Sequence, residues 1–163
     1  KNTSEPFIEL LCGVSNSGKT TYTIEQYPNG FNGVILSRDD LVMKYGYGTN
    51  YNECWKSLPK EVHKIIDQKL NEKFIFAIQS HSNIIVDMVN LTARVRAVWL
   101  NNLPKVYTRK IRVFTTPLNI IKKRNYLQSN EKFIPKNVLD EMYSRFQLPK
   151  PYEYDEIILE HSS

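Results

Sequence analysis

Short apolar runs alternate along this chain with longer amphipathic stretches. The apolar runs have the length of buried strands and lie at 7–12, 33–37, 83–86, 106–114 and 156–159. Between them, apolar residues recur at helical spacing, most clearly from Val62 to Ile78. Helices are expected at 20–27, from 38 onward, beyond Pro59, and at 92–102, 117–128 and 135–146. Strands separated by helices predict an α/β fold, a parallel sheet flanked by helices on both faces.

Some aromatic residues lie outside this pattern. Residues 45–52 are rich in Gly and Asn, which predicts an exposed loop. The tyrosines of that loop are either a platform on which a nucleobase stacks or part of an ordinary mobile loop. Trp55 and Trp99 are expected to form contacts between helices and the core.

The bulk composition limits the class of protein. With 163 residues, of which 41% are apolar, the chain can bury a core and favours one compact domain over residues 1–163. No apolar run approaches the roughly 18 residues of a membrane span, and no secretory signal is visible. Two cysteines are too few for a disulfide framework, so we expect a cytoplasmic protein without a membrane partner. The first residue is Lys1 rather than Met, which leaves open a longer polypeptide with further domains; the oligomeric state is not indicated.

Positive charge is concentrated in one part of the chain. The overall net charge is +5, but residues 101–150 contain eleven Lys and Arg against three Asp and Glu, a net charge of +8. This segment could follow a nucleic acid backbone, serve only a bound nucleotide, or be an ordinary solvated surface.

A phosphate-binding loop pattern, G-x-x-x-x-G-K-[ST], follows the first predicted strand and precedes the first predicted helix. Its residues are Gly13, Val14, Ser15, Asn16, Ser17, Gly18, Lys19, Thr20 and Thr21. In such a loop, backbone N–H groups and the helix N-terminus bind the β-phosphate, the Lys spans the outer phosphates and the hydroxyl holds Mg²⁺. We therefore expect ATP or another nucleoside triphosphate with Mg²⁺, with Lys19 on the phosphates and Thr20 on the metal.

Charged residues also follow the second and third predicted strands. Arg38, Asp39 and Asp40 come after the second strand, and Asp87 closes the third. The carboxyl ends of parallel strands lie along one edge of a sheet, where ligands collect. A kinase that acts on an alcohol needs a carboxylate near the hydroxyl, a cation across the moving phosphoryl group and a metal. This edge could supply all three, although an Asp after a strand is often only a helix N-cap.

Taken in order, these motifs resemble the kinase domain of the bacteriophage and bacterial polynucleotide 5′-kinase family. The resemblance runs over most of the chain, roughly 7–146. It rests on the phosphate loop, Ser37 to Leu41, Val86 to Leu91, Lys123 to Asn125, and Phe133 to Leu139 with Met142. It implies a P-loop kinase fold with a helical lid at about 122–137, and transfer of the γ-phosphate of ATP to a 5′-hydroxyl end of DNA or RNA.

The resemblance also implies roles for individual residues. Asp39 would be the general base on the 5′-hydroxyl, and Arg124, from the lid, would stabilise the transferred phosphate, unless it only forms a solvated helix face. Asp87 belongs to the family's active-site set, and Arg38 would contact the acceptor. Asp40 would support the local fold.

Two positions depart from the family pattern. Family members often carry an Arg two residues after the second Asp, where this chain has Val42, and Lys44 would substitute for it. A second lid Arg is replaced by Gln128. These departures leave two alternatives to polynucleotide phosphorylation open: a small-molecule, nucleoside-like kinase, and a catalytically weakened nucleotide-binding module of a larger protein.

Overall fold

The computed structural model describes residues 5–15, 17–127 and 134–160. Within these ranges the strands are β1 (Phe7–Cys12), β2 (Val34–Leu36), β3 (Ile84–Asp87), β4 (Thr108–Phe114) and β5 (Glu156–Glu160). The helices are α1 (Lys19–Gln26), α2 (Arg38–Tyr45), α3 (Tyr51–Ser57), α4 (Lys60–Gln79), α5 (Ala93–Leu100), α6 (Leu118–Leu127) and α7 (Lys136–Arg145), with a 3₁₀ turn at Pro151–Glu153.

The strands form one parallel sheet in the order β2-β3-β1-β4-β5. Leu36 of β2 and Leu10 of β1 both pair with Val86 of β3, and Leu11 pairs with Asp87. Because this register aligns the ends of β2, β3 and β1, the segments that follow these strands leave the sheet at the same edge.

Alternating side chains of the strands divide the core between the two faces of the sheet. Ile8, Leu10 and Cys12 of β1 are fully buried under α2, α3, α4 and α5. Leu11 faces the other way and packs with Tyr22 of α1. The α/β architecture predicted from the hydrophobic pattern, with helices on both faces, is confirmed.

A smaller apolar cluster joins the last two helices to the segment that follows β1. Val14, Ile121 of α6 and Leu139 of α7 are almost fully buried together with Leu91. The two helices on either side of residues 128–133 are therefore anchored to the start of the glycine-rich segment.

The prediction of a loop over 45–52 was wrong at both ends. Helix α2 runs to Tyr45, and α3 begins at Tyr51 because Asn50 caps it: the Asn50 Oδ1 atom accepts a 2.9 Å hydrogen bond from Glu53 N–H. Only the five residues between the two helices form the connection. Cys54 of α3 is 1% exposed and packs into the main core, which gives this short helix its tertiary support.

Candidate active site

The segment from Gly13 to Gly18 turns tightly between β1 and α1. Gly13 N–H donates a 3.0 Å hydrogen bond to the Val89 carbonyl, which ties the start of the loop to the segment after β3. Gly18 has φ of 110°, a left-handed conformation that disfavours side chains, and it is the N-cap of α1. The loop thus ends directly at a helix N-terminus, where free N–H groups favour an anion.

Lys19 folds back onto the loop that precedes it. Its Nζ atom donates hydrogen bonds to the carbonyl oxygens of Gly13 (2.7 Å) and Val14 (2.9 Å), and the residue is only 8% exposed. The ammonium group is thus held against the first two residues of the loop. Thr20 and Thr21, the next residues of α1, are exposed.

Side chains from β4 and from within the loop complete its packing. Thr116 Oγ1, just after β4, donates a 2.8 Å hydrogen bond to the Ser17 carbonyl, and both residues are buried. The Ser17 hydroxyl is itself buried without a hydrogen-bond partner among the residues that the structure describes. Ser15 is 5% exposed, whereas Asn16 lies outside the described residues.

These features fit a nucleoside triphosphate. A Cβ atom at Gly13 would approach the Ser17 Oγ atom to 2.6 Å, so the loop accepts only glycine there without a shift. A phosphate chain with Mg²⁺ requires N–H donors, a cation and an oxygen ligand for the metal. The loop offers the N-terminus of α1, the Lys19 ammonium and the exposed Thr20 for these purposes. Thr20 is exposed and Lys19 lies against the loop, whereas their roles in binding the metal and the phosphates remain predictions.

A buried polar network supports the segment after β3. The Asn90 side-chain amide donates a 2.8 Å hydrogen bond to the Leu11 carbonyl. The backbone of Asn90 has a φ of 48°, which turns the chain sharply. Arg96 of α5 is fully buried and donates to the Asn90 carbonyl at 2.9 Å and to Glu153 Oε1 at 2.7 Å. Through Asn90 and the Val89–Gly13 bond, this network positions the phosphate-binding loop.

Asp39 lies in the first turn of α2, but it is not the N-cap. The cap is Ser37, whose hydroxyl accepts a 3.3 Å hydrogen bond from Asp40 N–H. Asp39 is instead hydrogen-bonded to the side chain of Tyr51, the first residue of α3. Burial, followed by the charge of Asp39, raises the pKa of Tyr51, so the phenol stays protonated and acts as the donor.

Arg38 turns toward α3 and α4. Its Nε atom donates a 3.0 Å hydrogen bond to Asp67 Oδ1, and its guanidinium lies 5.4 Å from the centre of the Trp55 ring. The predicted contact between Arg38 and an acceptor remains a prediction. Trp55 is 42% exposed, so the expectation that it packs into the core was wrong. Trp99 is 8% exposed, which confirms the same expectation for that residue.

The departure at position 42 has a structural explanation. Val42 is fully buried in the main core, so the side chain at this position faces the sheet and not the edge that carries the phosphate loop. Lys44, predicted to take over its role, is exposed, with Nζ 5.7 Å from the centre of the Tyr45 ring. A role for Lys44 in acceptor binding remains a prediction.

Asp87 closes β3 beside the phosphate-binding loop. It is half-buried, and its Cα register with Leu11 puts it two residues from Gly13 along the neighbouring strand. The structure therefore brings Asp87 and the loop to adjacent strand ends. Its catalytic role remains a prediction.

Arg124 lies half-buried on α6, three residues after Ile121, and residues at this spacing share a helix face. Since Ile121 packs with Val14, Arg124 is on the side of α6 that meets the phosphate loop. Asn125 joins α6 to the segment before α7 by two hydrogen bonds with Ile134, from Nδ2 to the carbonyl (2.7 Å) and from Ile134 N–H to Oδ1 (2.8 Å). The lid was expected at about 122–137, and its residues 128–133, Gln128 included, lie outside the described residues.

Three supporting residues were not predicted as part of the site: Tyr51, Asn90 and Thr116. Asn90 and Thr116 follow strand ends, which was the available signal, but nothing in the sequence shows that they bond to the phosphate loop. Tyr51 was considered only as part of a stacking platform or of an ordinary loop, because helix α3 was not predicted.

The fold and the phosphate loop define a class, the P-loop kinases, with a parallel sheet and a loop joining β1 to α1. Residues 8–149 match the family AAA_33, described as an AAA domain, and the chain belongs to this family. No curated protein matches the sequence. None of the helices within the described ranges is long and apolar enough to cross a membrane.

Solved structures share the fold at low sequence identity. One is from the Pnkp1/Rnl/Hen1 RNA repair complex, with a TM-score of 0.70 and 21% identity, covering 89% of this chain and 45% of that chain. This chain therefore spans less than half the length of that relative. A sugar kinase from Janibacter sp. HTCC2649 has a TM-score of 0.63 and 18% identity, with coverage of 96% and 85%. A gluconokinase from Sinorhizobium meliloti 1021 has a TM-score of 0.55 and 15% identity, with coverage of 96% and 83%.

Proposed function

We propose that this chain transfers the γ-phosphate of ATP to the 5′-hydroxyl end of DNA or RNA. The observation that carries this proposal is the convergence of a phosphate-binding loop and of Asp39 on aligned strand ends. Asp39 lies in the first turn of α2 without capping the helix, and a carboxylate in this position, after a strand end, is suited to act as a base. The site thus combines a phosphate donor with a group that can activate a hydroxyl.

The proposed reaction is a displacement at the γ-phosphorus. Asp39 accepts the proton of the 5′-hydroxyl as its oxygen forms a bond to phosphorus, and the bond from the γ-phosphorus to the bridging oxygen of ADP breaks. Lys19 and Arg124 stabilise the charge on the transferred group. Mg²⁺, held by Thr20, would neutralise charge on the β- and γ-oxygens.

The distribution of positive charge supports a polynucleotide acceptor. The basic residues of β4 are partly neutralised within the fold, because Arg112 pairs with Glu9 and Glu160, and Arg109 with Asp155. A second group of basic residues lies on α6 and α7, away from these acidic partners of β4. A cavity of about 370 Å³ between these helices is lined by Lys122, Lys123, Asn125, Tyr126, Lys136 and Leu139.

Lysines beside an exposed aromatic ring are a combination that suits single-stranded nucleic acid. Lys122 is paired with Asp140 at 2.6 Å, whereas Lys123 and Lys136 are exposed, and Tyr126 is 79% exposed. The similarity to a structure from an RNA repair complex is consistent with a nucleic acid as the acceptor. Polynucleotide specificity for this chain is nevertheless our proposal.

A small-molecule acceptor is the second candidate. It is favoured by the similarity to a sugar kinase and a gluconokinase, since this chain covers 85% and 83% of their chains. In that case the same phosphate loop and base would serve a smaller hydroxyl compound. A nucleotide-binding module without phosphotransfer is the third candidate, and the same experiment tests it.

The experiment is a transfer assay with γ-labelled ATP and a 5′-hydroxyl oligonucleotide. We expect label on the oligonucleotide, a loss of roughly 100-fold or more in Asp39→Asn, since a general base contributes at least that much, and retained ATP binding. Asp40→Asn is the matched control, because Asp40 is exposed and its bond to the Ser37 cap comes from the backbone N–H, which the substitution keeps. ATP binding without transfer, or transfer that survives in Asp39→Asn, would contradict the proposal.

A further inference from the structure

Trp55 lies on the outward side of α3. The residue is 42% exposed, whereas its neighbour Cys54 is buried in the main core. A single exposed apolar side chain is ordinary in itself. The arrangement of the side chains around the indole ring therefore decides whether it forms a binding surface.

Three side chains surround the Trp55 ring. The His63 ring lies 4.4 Å from it and the Tyr51 ring 6.1 Å, both between centroids. The guanidinium carbon of Arg38 lies 5.4 Å from the centre of the indole. These side chains come from α4, α3 and α2, so three helices hold the ring in one orientation. A ring that is already ordered loses little entropy when a ligand stacks on it.

Contacts with α4 also fix Arg38. Its Nε atom donates a 3.0 Å hydrogen bond to Asp67 Oδ1, and its Nη2 atom lies 3.4 Å from His63 Nδ1. Asp67 thus balances the charge of the guanidinium. An aromatic surface beside a balanced ion pair suits a nucleobase, which stacks on rings, better than a phosphate, which needs a net positive charge.

These residues lie at the same edge of the sheet as the phosphate-binding loop. Arg38 follows β2 and directly precedes Asp39. Because β2 and β3 are parallel, the chain must return from the end of β2 to the start of β3, and α4 is the last helix of that connection. The first turn of α4, which carries His63, is therefore directed toward the edge where the strands end. Trp55, packed on His63 and Arg38, lies on the side of the molecule that carries the proposed base.

We propose that Trp55 binds the acceptor by stacking on a nucleobase at its 5′ end. Arg38 and His63 hold the indole ring for this contact. The inference rests on the proposed function, because it takes the acceptor to be a polynucleotide. It names a residue that selects the acceptor, whereas the phosphate-binding loop holds only the donor.

Tryptophan fluorescence gives the direct test in the wild-type protein. The chain has two tryptophans, and Trp99 is buried against Phe74, with 5.1 Å between the ring centroids. We expect a 5′-hydroxyl oligonucleotide to quench the emission of Trp55 in the absence of ATP. Binding of the oligonucleotide without any change in tryptophan emission would overturn the inference.

Variants measure how much the ring contributes. Trp55→Leu keeps an apolar side chain, and we expect it to bind a dye-labelled oligonucleotide about tenfold more weakly by fluorescence anisotropy, a loss typical of one stacked nucleobase. Trp55→Phe should retain most of the affinity, because it keeps an aromatic ring. Unchanged affinity in Trp55→Leu would overturn the inference.

Acceptors that lack one nucleobase separate stacking from a structural role. Each of the first three nucleotides is replaced in turn by an abasic one. At one of these positions, Trp55→Leu should bind as well as the wild type, because the stacking partner is then missing for both proteins. An equal loss of affinity for the intact and for every abasic acceptor would mean that Trp55 only supports the fold, and would overturn the inference.

Tyr152→Ala is the matched control. Tyr152 is 69% exposed, but it lies in the turn that precedes β5, and therefore toward the opposite edge of the sheet. Its affinity for the oligonucleotide should equal that of the wild type, and a loss as large as in Trp55→Leu would overturn the inference. The binding measurements need no phosphate transfer. Binding that depends on Trp55 without transfer would contradict only the proposed function, whereas transfer that does not depend on Trp55 would contradict only this inference.

Discussion

Arg96 and Glu153 form a buried ion pair, with Arg96 Nε 2.7 Å from Glu153 Oε1 and the two side chains 0% and 4% exposed. A buried pair is costly to break because the remaining charge is left without a partner. Here the pair also holds the Asn90 carbonyl, and thereby the segment that fastens the phosphate-binding loop. We therefore expect stability and nucleotide binding to depend on it together.

The first prediction concerns stability. Arg96→Met leaves Glu153 buried and unpaired, so the free energy of unfolding should fall by about 3–5 kcal/mol, as measured by urea denaturation. ATP binding should weaken in the same variant. Arg96→Met combined with Glu153→Leu is the control, since removing both charges should restore most of the stability. If the single variant unfolds at the wild-type urea concentration, the assigned role of the pair is wrong.

The second prediction concerns pH. Burial raises the pKa of Glu153, but the hydrogen bonds from Arg96 and from Lys150 N–H outweigh burial and hold it below its ordinary value. A carboxylate with a lowered pKa stabilises the fold above its unfolded pKa of about 4.3, and this stabilisation is lost as the pH falls through the folded pKa. Urea denaturation at several pH values should therefore show a smaller acid-induced loss of stability in the double variant than in the wild type. An equal dependence of the free energy of unfolding on pH in the two proteins would contradict the assigned role of Glu153.

The third prediction concerns thiol reactivity. Burial raises the pKa of Cys12 to about 12, so almost no thiolate forms at pH 8. Iodoacetamide should leave Cys12 unmodified in the native protein and alkylate it in urea, as read by mass spectrometry of the tryptic peptides. Rapid native alkylation of Cys12 would show that β1 is more open than the structure indicates.

The fourth prediction concerns the connection between α6 and α7. Asn125→Ala removes both hydrogen bonds to Ile134, so hydrogen exchange in α6 and α7 should increase and kcat should fall several-fold, since each bond contributes about 1 kcal/mol. Asn102→Ala is a matched control because the Asn102 amide donates a 3.0 Å hydrogen bond to the Val98 carbonyl on α5 and not to α6 or α7 among the described residues. If the two variants behave alike, Asn125 does not hold these helices in their active arrangement.

The sequence was sufficient for the features that depend on local pattern. Apolar runs located all the strands of the described sheet, and the glycine-rich motif located the phosphate loop, because a tight turn followed by a helix needs particular residues in a particular order. Strand ends then pointed to Asp39 and Asp87, since parallel strands share one edge.

The wrong predictions concern residues whose conformation and burial depend on tertiary packing. The seven residues of α3 are too short a segment to show helical periodicity, and this helix depends on the Asn50 cap and on the burial of Cys54. Val42 was taken as a lost acceptor contact, but it faces the core, which only the rotation of α2 against the sheet reveals. Trp55 was placed in the core because amphipathic helices bury such side chains, yet here it is 42% exposed and its ring lies against Tyr51.

The central claim is that the acceptor is a polynucleotide end, and the most direct test compares acceptors. The measurement is kcat/KM with γ-labelled ATP for a 5′-hydroxyl oligonucleotide and for the corresponding nucleoside, each at low and at high salt. We expect a preference of about 100-fold or more for the oligonucleotide, declining as salt rises, because contacts between lysines and phosphates are screened. An equal or higher kcat/KM for the nucleoside, without salt dependence, would contradict the claim.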